Sequence, residues 1–235
     1  MNVLIKGVVG STAYGLAHAG SDVDLLGIHA TDTADFFTYR GPGDETIASH
    51  NPDITSHEIH KAVRLMYGNN PTVYEILWLD SYLEVNQFGR RLIDMRTDFL
   101  HRQGVRNSYL GYASQQLARL EREGRFAGSL DTRREKHARH LLRLLQQGTA
   151  LYATGQLTIK VNDPERLRDD AKKIARLDEG GLNIARERIA KAEDYFDVAK
   201  SPIAEKPSYE AIDALLQSVR THYWKAPSEV PGTGE

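Results

Sequence analysis

Two aspartates separated by one residue carry the clearest chemical signal in this chain. Asp22 and Asp24 lie in the string SDVDLLGI, with Val23 between them and Leu25 following. Because alternate side chains of a β-strand point to the same face, both carboxylates would project together. Like charges held side by side repel each other, and a divalent cation between them relieves that repulsion. The spacing therefore predicts a cation site at the start of a strand.

A glycine–serine pair, Gly10-Ser11, precedes these carboxylates. The glycine lets the backbone approach a phosphate closely, and the serine adds a hydroxyl donor. Ser21, directly before the first aspartate, is a third candidate for nucleotide binding. A bare SDxD string is also typical of a turn. The upstream pair and the apolar flanks favour a site for a metal-bound nucleoside triphosphate.

Bulk composition is that of a globular protein. The chain has 235 residues, of which 40% are hydrophobic and 26% charged. It contains no apolar stretch near the ~18 residues of a membrane span, and its apolar start is interpreted as a first strand rather than a signal peptide. It has no cysteine, which excludes disulfides, thiolate chemistry and cysteine zinc sites. We expect a cytoplasmic protein with no membrane partner.

Charge is distributed unevenly. The first 100 residues hold 7 lysines and arginines against 13 aspartates and glutamates, and the remainder holds 23 against 19. The basic half includes a dense run from Arg119 to Arg143, which could contact phosphates or nucleic acid. The interleaved acids Glu121, Glu123 and Glu135 favour a solvated helical face instead.

The expected fold is α+β: a small mixed β-sheet domain over 1–105, a helical domain over 106–225 and a disordered tail over 226–235. Strands are predicted over 3–9, 23–29, 45–50 and 53–57, with a brief extended arm over 157–161. Helices are predicted over 58–68, 72–79, 87–96, 107–123, 132–154, 164–180, 182–199 and 208–223.

A third carboxylate is expected, since phosphoryl transfer with two metal ions needs further oxygen ligands and a group that helps to deprotonate the attacking hydroxyl. Asp53 is the best candidate because it opens a strand-like run that could pair beside residues 23–29. Glu58 and Asp44 are the alternatives.

These motifs together resemble the DNA polymerase β-like nucleotidyltransferase superfamily, whose signature is a Gly-Ser pair, a D-x-D and a distal acid. Three strings, GSTAYGLAHAGSDVDLLGI, NNPTVYEILW and KHARHLLRLLQQGTALYATGQL, are similar to its predicted nucleotidyltransferases associated with RNA ligase and RNA repair. The resemblance covers most of residues 5 to about 185. It implies a polymerase β palm-like sheet with a helical domain closing over the nucleotide.

The resemblance also implies roles for the acidic residues. Asp22 and Asp24 become metal ligands and catalytic residues, with Asp53 as the third acid. Gly10 and Ser11 would hold the triphosphate. Two Mg²⁺ ions are the implied cofactors, with Mn²⁺ as the alternative ion.

A cationic stripe is predicted on the helix over 132–154. Lys136, His140 and Arg143 are spaced i, i+4, i+7 and so share one face. Taken alone, the stripe is equally typical of a solvated surface. With the resemblance, we expect Lys136 and Arg143 to bind phosphates and His140 to contact substrate or to support packing. Asn70 and Glu75 are interpreted as structural residues that cap and pin the helices behind the site.

The predicted function is metal-dependent transfer of a nucleoside monophosphate from a nucleoside triphosphate to an acceptor hydroxyl. The resemblance favours an RNA 3′ end, in RNA repair or processing, as the acceptor. Two alternatives stay open: toxin-like modification of a protein or small molecule, and a catalytically silent protein that binds nucleotide or RNA. The sequence does not identify the preferred base or the oligomeric state.

Overall fold

One five-stranded mixed sheet forms the N-terminal part of the molecule. The computed structural model describes residues 2–123, 131–176 and 178–224. The strands are β1 (Asn2–Val9), β2 (Asp24–Ala30), β3 (Thr46–His50), β4 (Asp53–Glu58) and β5 (Glu84–Val85). Their order in the sheet is β3-β4-β2-β1-β5. The predicted α+β class is confirmed, as are the four predicted strands to within one or two residues at their ends.

The parallel pairing of β2 with β4 positions the acidic residues. Leu25 of β2 lies opposite Ile54 of β4, whereas β2 pairs antiparallel with β1 and β4 with β3. The residues that immediately precede this pair are Asp24 and Asp53, so both acids lie at the same end of neighbouring strands. Apolar side chains of β1 and β2, including Leu4 and Ile28, are fully buried and hold the sheet against the helices.

Helices are the main elements of the rest of the described chain, with loops and 3₁₀ turns between them. Their bounds are α1 (Gly10–Ala13), α2 (Ile59–Tyr67), α3 (Pro71–Tyr74), α4 (Gln87–Asp94), α5 (Arg102–Glu123), α6 (Asp131–Thr154), α7 (Pro164–Ala175), α8 (Glu179–Val198) and α9 (Tyr209–His222). None of the helices in this part of the chain combines the length and apolarity that a bilayer crossing requires.

Four helix predictions were wrong by three or more residues at one end, and one of them is the helix predicted over 182–199, which begins at Glu179. The helix over 72–79 is a single turn, α3, continued by a 3₁₀ turn over Glu75–Trp78. The helix over 164–180 stops at Ala175, because Asp178 accepts a hydrogen bond from the Gly181 N–H and caps a new helix there. α5 begins earlier than predicted, at Arg102. Residues 157–161 form no strand.

The last helix, α9, returns to the sheet. The Arg220 guanidinium forms an ion pair with the buried Glu58 carboxylate, with Nη2 and Oε1 2.8 Å apart. The Thr33 backbone N–H and hydroxyl donate to the carbonyls of Tyr223 and Arg220 respectively. The division at residue 105 stays a prediction, since α9 contacts elements of the first 105 residues. The predicted disordered tail, 226–235, lies outside the described residues.

Candidate active site

A cavity of about 470 Å³ lies between the end of β1, the loop before β2 and the helices α5 and α6. Its walls contain every predicted site residue except Asp53. From the sheet side they are Gly10, Ser11, Ser21, Asp22 and Asp24, and from α6 they are Lys136, His140 and Arg143. A volume of this size is typical of sites for small-molecule ligands.

The two aspartates of the D-x-D string have different environments. Asp24 is the first residue of β2 and partly buried, whereas Asp22 lies exposed in the loop before the strand. The strand predicted over 23–29 begins one residue later, at Asp24, and Asp22 reaches the cavity from the preceding loop. Burial, then the charges of Asp53 and Asp22, raise the pKa of Asp24, while Lys136 lowers it.

The backbone of Gly10 lies in close contact with the Asp24 side chain. Its φ of +67° lies in the left-handed region that favours glycine. A Cβ at this position would lie 2.0 Å from Oδ2 of Asp24. No side chain fits there without displacing the carboxylate, so the glycine predicted for close backbone approach also sets the position of Asp24.

Of the three candidates for a third acid, Asp53 is the one that lies beside Asp24. It opens β4 beside Asp24 and its charge raises the pKa of Asp24. Glu58 ends the same 6-residue strand, at the opposite end. There it binds Arg220 and accepts a 2.8 Å hydrogen bond from the His60 N–H. Asp44 lies exposed in the loop before β3.

The carboxylates suit a magnesium site that substrate completes. Among the described residues, no group of three histidine, aspartate or glutamate side chains is close enough to hold a metal ion. Mg²⁺ is usually bound by one or two carboxylates together with substrate phosphates and water. Asp22 and Asp24 line the cavity, and the neighbouring charges that raise the pKa of Asp24 are those a cation would compensate.

Lys136 and His140 of the α6 wall differ in charge. Lys136 is exposed and close enough to Asp24 to lower its pKa. Burial, followed by the Arg143 charge, lowers the pKa of His140 to about 3. The Nδ1 atom of His140 lies 3.0 Å from Nη2 of Arg143. Since a guanidinium only donates, Nδ1 accepts and the ring proton lies on Nε2.

Arg143 lies at the base of the cavity with its guanidinium committed to protein groups. Its side chain is 1% exposed, and Nη1 lies 3.8 Å from the Glu75 carboxylate. The guanidinium stacks 3.9 Å from the centre of the Tyr14 ring and also donates to Gln147. Direct phosphate binding by Arg143 stays a prediction, and these contacts favour a supporting role.

Several cavity residues were not among the predicted candidates. They are Tyr14, Leu16, His18, Gly20, Gln116, Arg119, His137 and Arg139. The run from Arg119 to Arg143 was interpreted as a solvated face because acids interrupt it. Its high density of arginine, lysine and histidine over two consecutive helices was the signal that pointed to a site.

Glu75 was predicted to be a structural residue behind the site, but the sequence did not reveal its partners. It is buried within the apolar string VYEILW, and burial raises its pKa to about 7 against the opposing effects of Arg143, Tyr14 and the Gly10 backbone. A carboxylate within an apolar run is a signal for a buried, partnered acid. Asn70 caps α3 as predicted, accepting from the Thr72 N–H.

Comparison with known families identifies a family for this chain. A family model described as RlaP, RNA repair pathway DNA polymerase beta family, matches residues 1–218. No curated protein matches the chain. The matched range includes the whole sheet, the cavity and most of the helical region.

Proposed function

Because the chain belongs to the RlaP family, an RNA repair pathway DNA polymerase β family, we propose that it transfers a nucleoside monophosphate from a nucleoside triphosphate to a hydroxyl of RNA. The observation that carries this proposal is the cavity itself. A left-handed glycine turn, two aspartates and a lysine surround one space of suitable volume.

The nucleotide's phosphates would lie along the Gly10–Ser11 turn. Gly10 allows the backbone to approach them, and the Ser11 and Ser21 hydroxyls lie in the same wall as donors. Lys136 on α6 supplies a positive charge from across the cavity, where it would offset the charge of the leaving pyrophosphate. Arg119 and Arg139 add positive charge to the same walls.

The carboxylates would hold the metal. Asp22 and Asp24, with Asp53 beside them, are the residues that would bind Mg²⁺. A bound ion would lower the pKa of the acceptor hydroxyl and neutralise charge on the phosphates.

The acceptor hydroxyl would then give up its proton, with the Asp53 carboxylate as the nearby base. Its oxygen attacks the α-phosphorus, the bond between that phosphorus and the bridging oxygen breaks, and pyrophosphate leaves with the bond's electron pair. The product is an acceptor that carries one added nucleoside monophosphate.

An RNA end is the proposed acceptor because the family belongs to RNA repair pathways. The basic residues of the cavity rim are compatible with a polyanionic acceptor. Proteins and small molecules are the alternatives to be tested beside it.

Label transfer tests this proposal. The protein is incubated with Mg²⁺ and each α-³²P-labelled nucleoside triphosphate, together with intact tRNA, nicked RNA or a protein mixture. We expect label on RNA with the wild type and none with Asp24→Asn, which keeps the side chain's size. Label on protein would identify a different acceptor class, and absence of label from every acceptor, with no pyrophosphate release, would contradict nucleotidyl transfer.

A further inference from the structure

A buried cluster of Tyr14, Glu75 and Arg143 lies directly behind the Gly10–Ser11 turn. Glu75 is 3% exposed, Tyr14 is 8% exposed and Arg143 is 1% exposed. Burying a carboxylate and a guanidinium costs free energy unless each is partnered. Apolar packing alone does not explain why charged groups are buried in the wall of a cavity.

The contacts of Glu75 converge on the turn. The Tyr14 hydroxyl donates to both carboxylate oxygens, at 3.0 Å and 2.7 Å. The Gly10 backbone lies near the same carboxylate and lowers its pKa. Tyr14 is itself tied to the turn, because its N–H donates to the Gly10 carbonyl at 3.1 Å. Glu75 is thus linked through Tyr14 to the Gly10–Ser11 turn at the start of the short helix α1.

Arg143 completes the cluster from the opposite wall. It supplies the positive charge near Glu75, and it covers the Tyr14 ring at 3.9 Å. It also contacts His140, which lines the cavity beside Lys136. One guanidinium therefore connects the glycine turn of the sheet domain to the α6 wall.

We propose that Glu75 is a positioning residue for the nucleotide: clamped by Tyr14 and Arg143, it fixes the Gly10–Ser11 turn in the shape that accepts the phosphates. The proposal rests on the proposed function, because it assumes that the turn binds a nucleoside triphosphate. Pre-formed backbone donors cost less to order when ligand binds, so loosening the turn weakens binding.

Tyr14→Phe tests this with little change to packing, because the ring that Arg143 covers is kept and only the hydroxyl is lost. Tyr74→Phe is the matched control. Tyr74 is fully buried and its hydroxyl donates at 2.7 Å to the Arg96 carbonyl, away from the cavity. For wild type and each variant, we would measure Tm and the dissociation constants for α,β-methylene ATP and its three base analogues in the presence of Mg²⁺.

We expect both variants to lose Tm, since each removes a hydroxyl hydrogen bond, and the loss should be larger in Tyr14→Phe because its partner is a buried carboxylate. Only Tyr14→Phe should weaken nucleotide binding, by about tenfold, a free energy of about 1.4 kcal/mol. Glu75→Gln should bind better than Glu75→Ala, since its amide oxygen still accepts from the Tyr14 hydroxyl. Equal nucleotide affinities for Tyr14→Phe and Tyr74→Phe would overturn the inference while leaving the proposed function standing.

The Gly10 amide resonance gives a second readout that needs no nucleotide. The Gly10 backbone lies near the Glu75 carboxylate, and a nearby carboxylate charge shifts an amide resonance, so this ¹⁵N–¹H peak should move in Tyr14→Phe and Glu75→Gln and stay in place in Tyr74→Phe. If wild-type protein binds none of the nucleotides, the proposed function fails. A Gly10 peak that does not move in either cluster variant refutes the fixed turn itself.

Discussion

Replacing Gly10 by alanine has two costs that can be measured separately: a left-handed backbone conformation for alanine, and a collision between its Cβ and Asp24. Gly10 and Gly15 have nearly the same left-handed φ, +67° and +70°. A Cβ on Gly15 would meet nothing within 4 Å, whereas one on Gly10 would lie 2.0 Å from Oδ2 of Asp24. Gly15→Ala is therefore a control that carries the conformational cost without the collision.

The left-handed conformation costs alanine roughly 1–2 kcal/mol. For a chain of this size, that corresponds to a Tm loss of about 2–8 °C, which both variants should show. Gly10→Ala must also move the Asp24 carboxylate by about 1 Å, and a misplacement of that size in an active site can cost about 10²-fold in rate.

Differential scanning fluorimetry and the label-transfer assay measure these effects side by side. Gly15→Ala should retain nucleotidyl transfer within a few-fold of wild type, and Gly10→Ala should lose about 10²-fold. If the two variants lose equal activity at equal Tm, the close contact between Gly10 and Asp24 has no catalytic importance and the reasoning is wrong.

Three further predictions concern charged groups. Lys136→Ala should raise the pKa of Asp24 and Lys136→Arg should preserve it, as followed by ¹³C NMR of the carboxyl carbon. Asp53→Asn should lower the same pKa. Folding raises the pKa of Asp24, so the free energy of unfolding of the metal-free protein falls as pH rises through that pKa. Asp53→Asn should make this fall smaller, as measured by urea titrations at several pH values. Arg220→Ala leaves the buried Glu58 carboxylate without its ion pair and should cost about 2–4 kcal/mol of unfolding free energy, whereas no measurable loss would contradict the docking of α9 on the sheet.

Local sequence signals were sufficient to predict the acidic part of the candidate site. Gly10, Asp22 and Asp24 lie close together in the chain, and strand periodicity together with turn chemistry predicts their neighbourhood. Asp53 could also be predicted beside Asp24, because both head strand-like runs. The sheet register that makes them neighbours needs only a parallel pairing of β2 and β4.

Long-range contacts account for what the sequence did not predict. Helical spacing places Arg143 on the same face as Lys136. It does not show that one side chain is exposed and the other buried. That difference comes from Tyr14 and Glu75, which are 61 positions apart and meet only in the fold. The return of α9 to Glu58 is likewise set by tertiary packing and not by any local pattern.

Calorimetric titration of the α,β-methylene nucleoside triphosphates, with and without Mg²⁺, tests the central claim most directly. The variant is Asp24→Asn, and the control is Asp213→Asn at an exposed position on α9. We predict that wild type and Asp213→Asn bind at least one of these nucleotides in a Mg²⁺-dependent manner, and that Asp24→Asn loses at least tenfold in affinity, about 1.4 kcal/mol. Binding that is the same in Asp24→Asn as in wild type, with or without Mg²⁺, would contradict a metal–nucleotide site at this cavity.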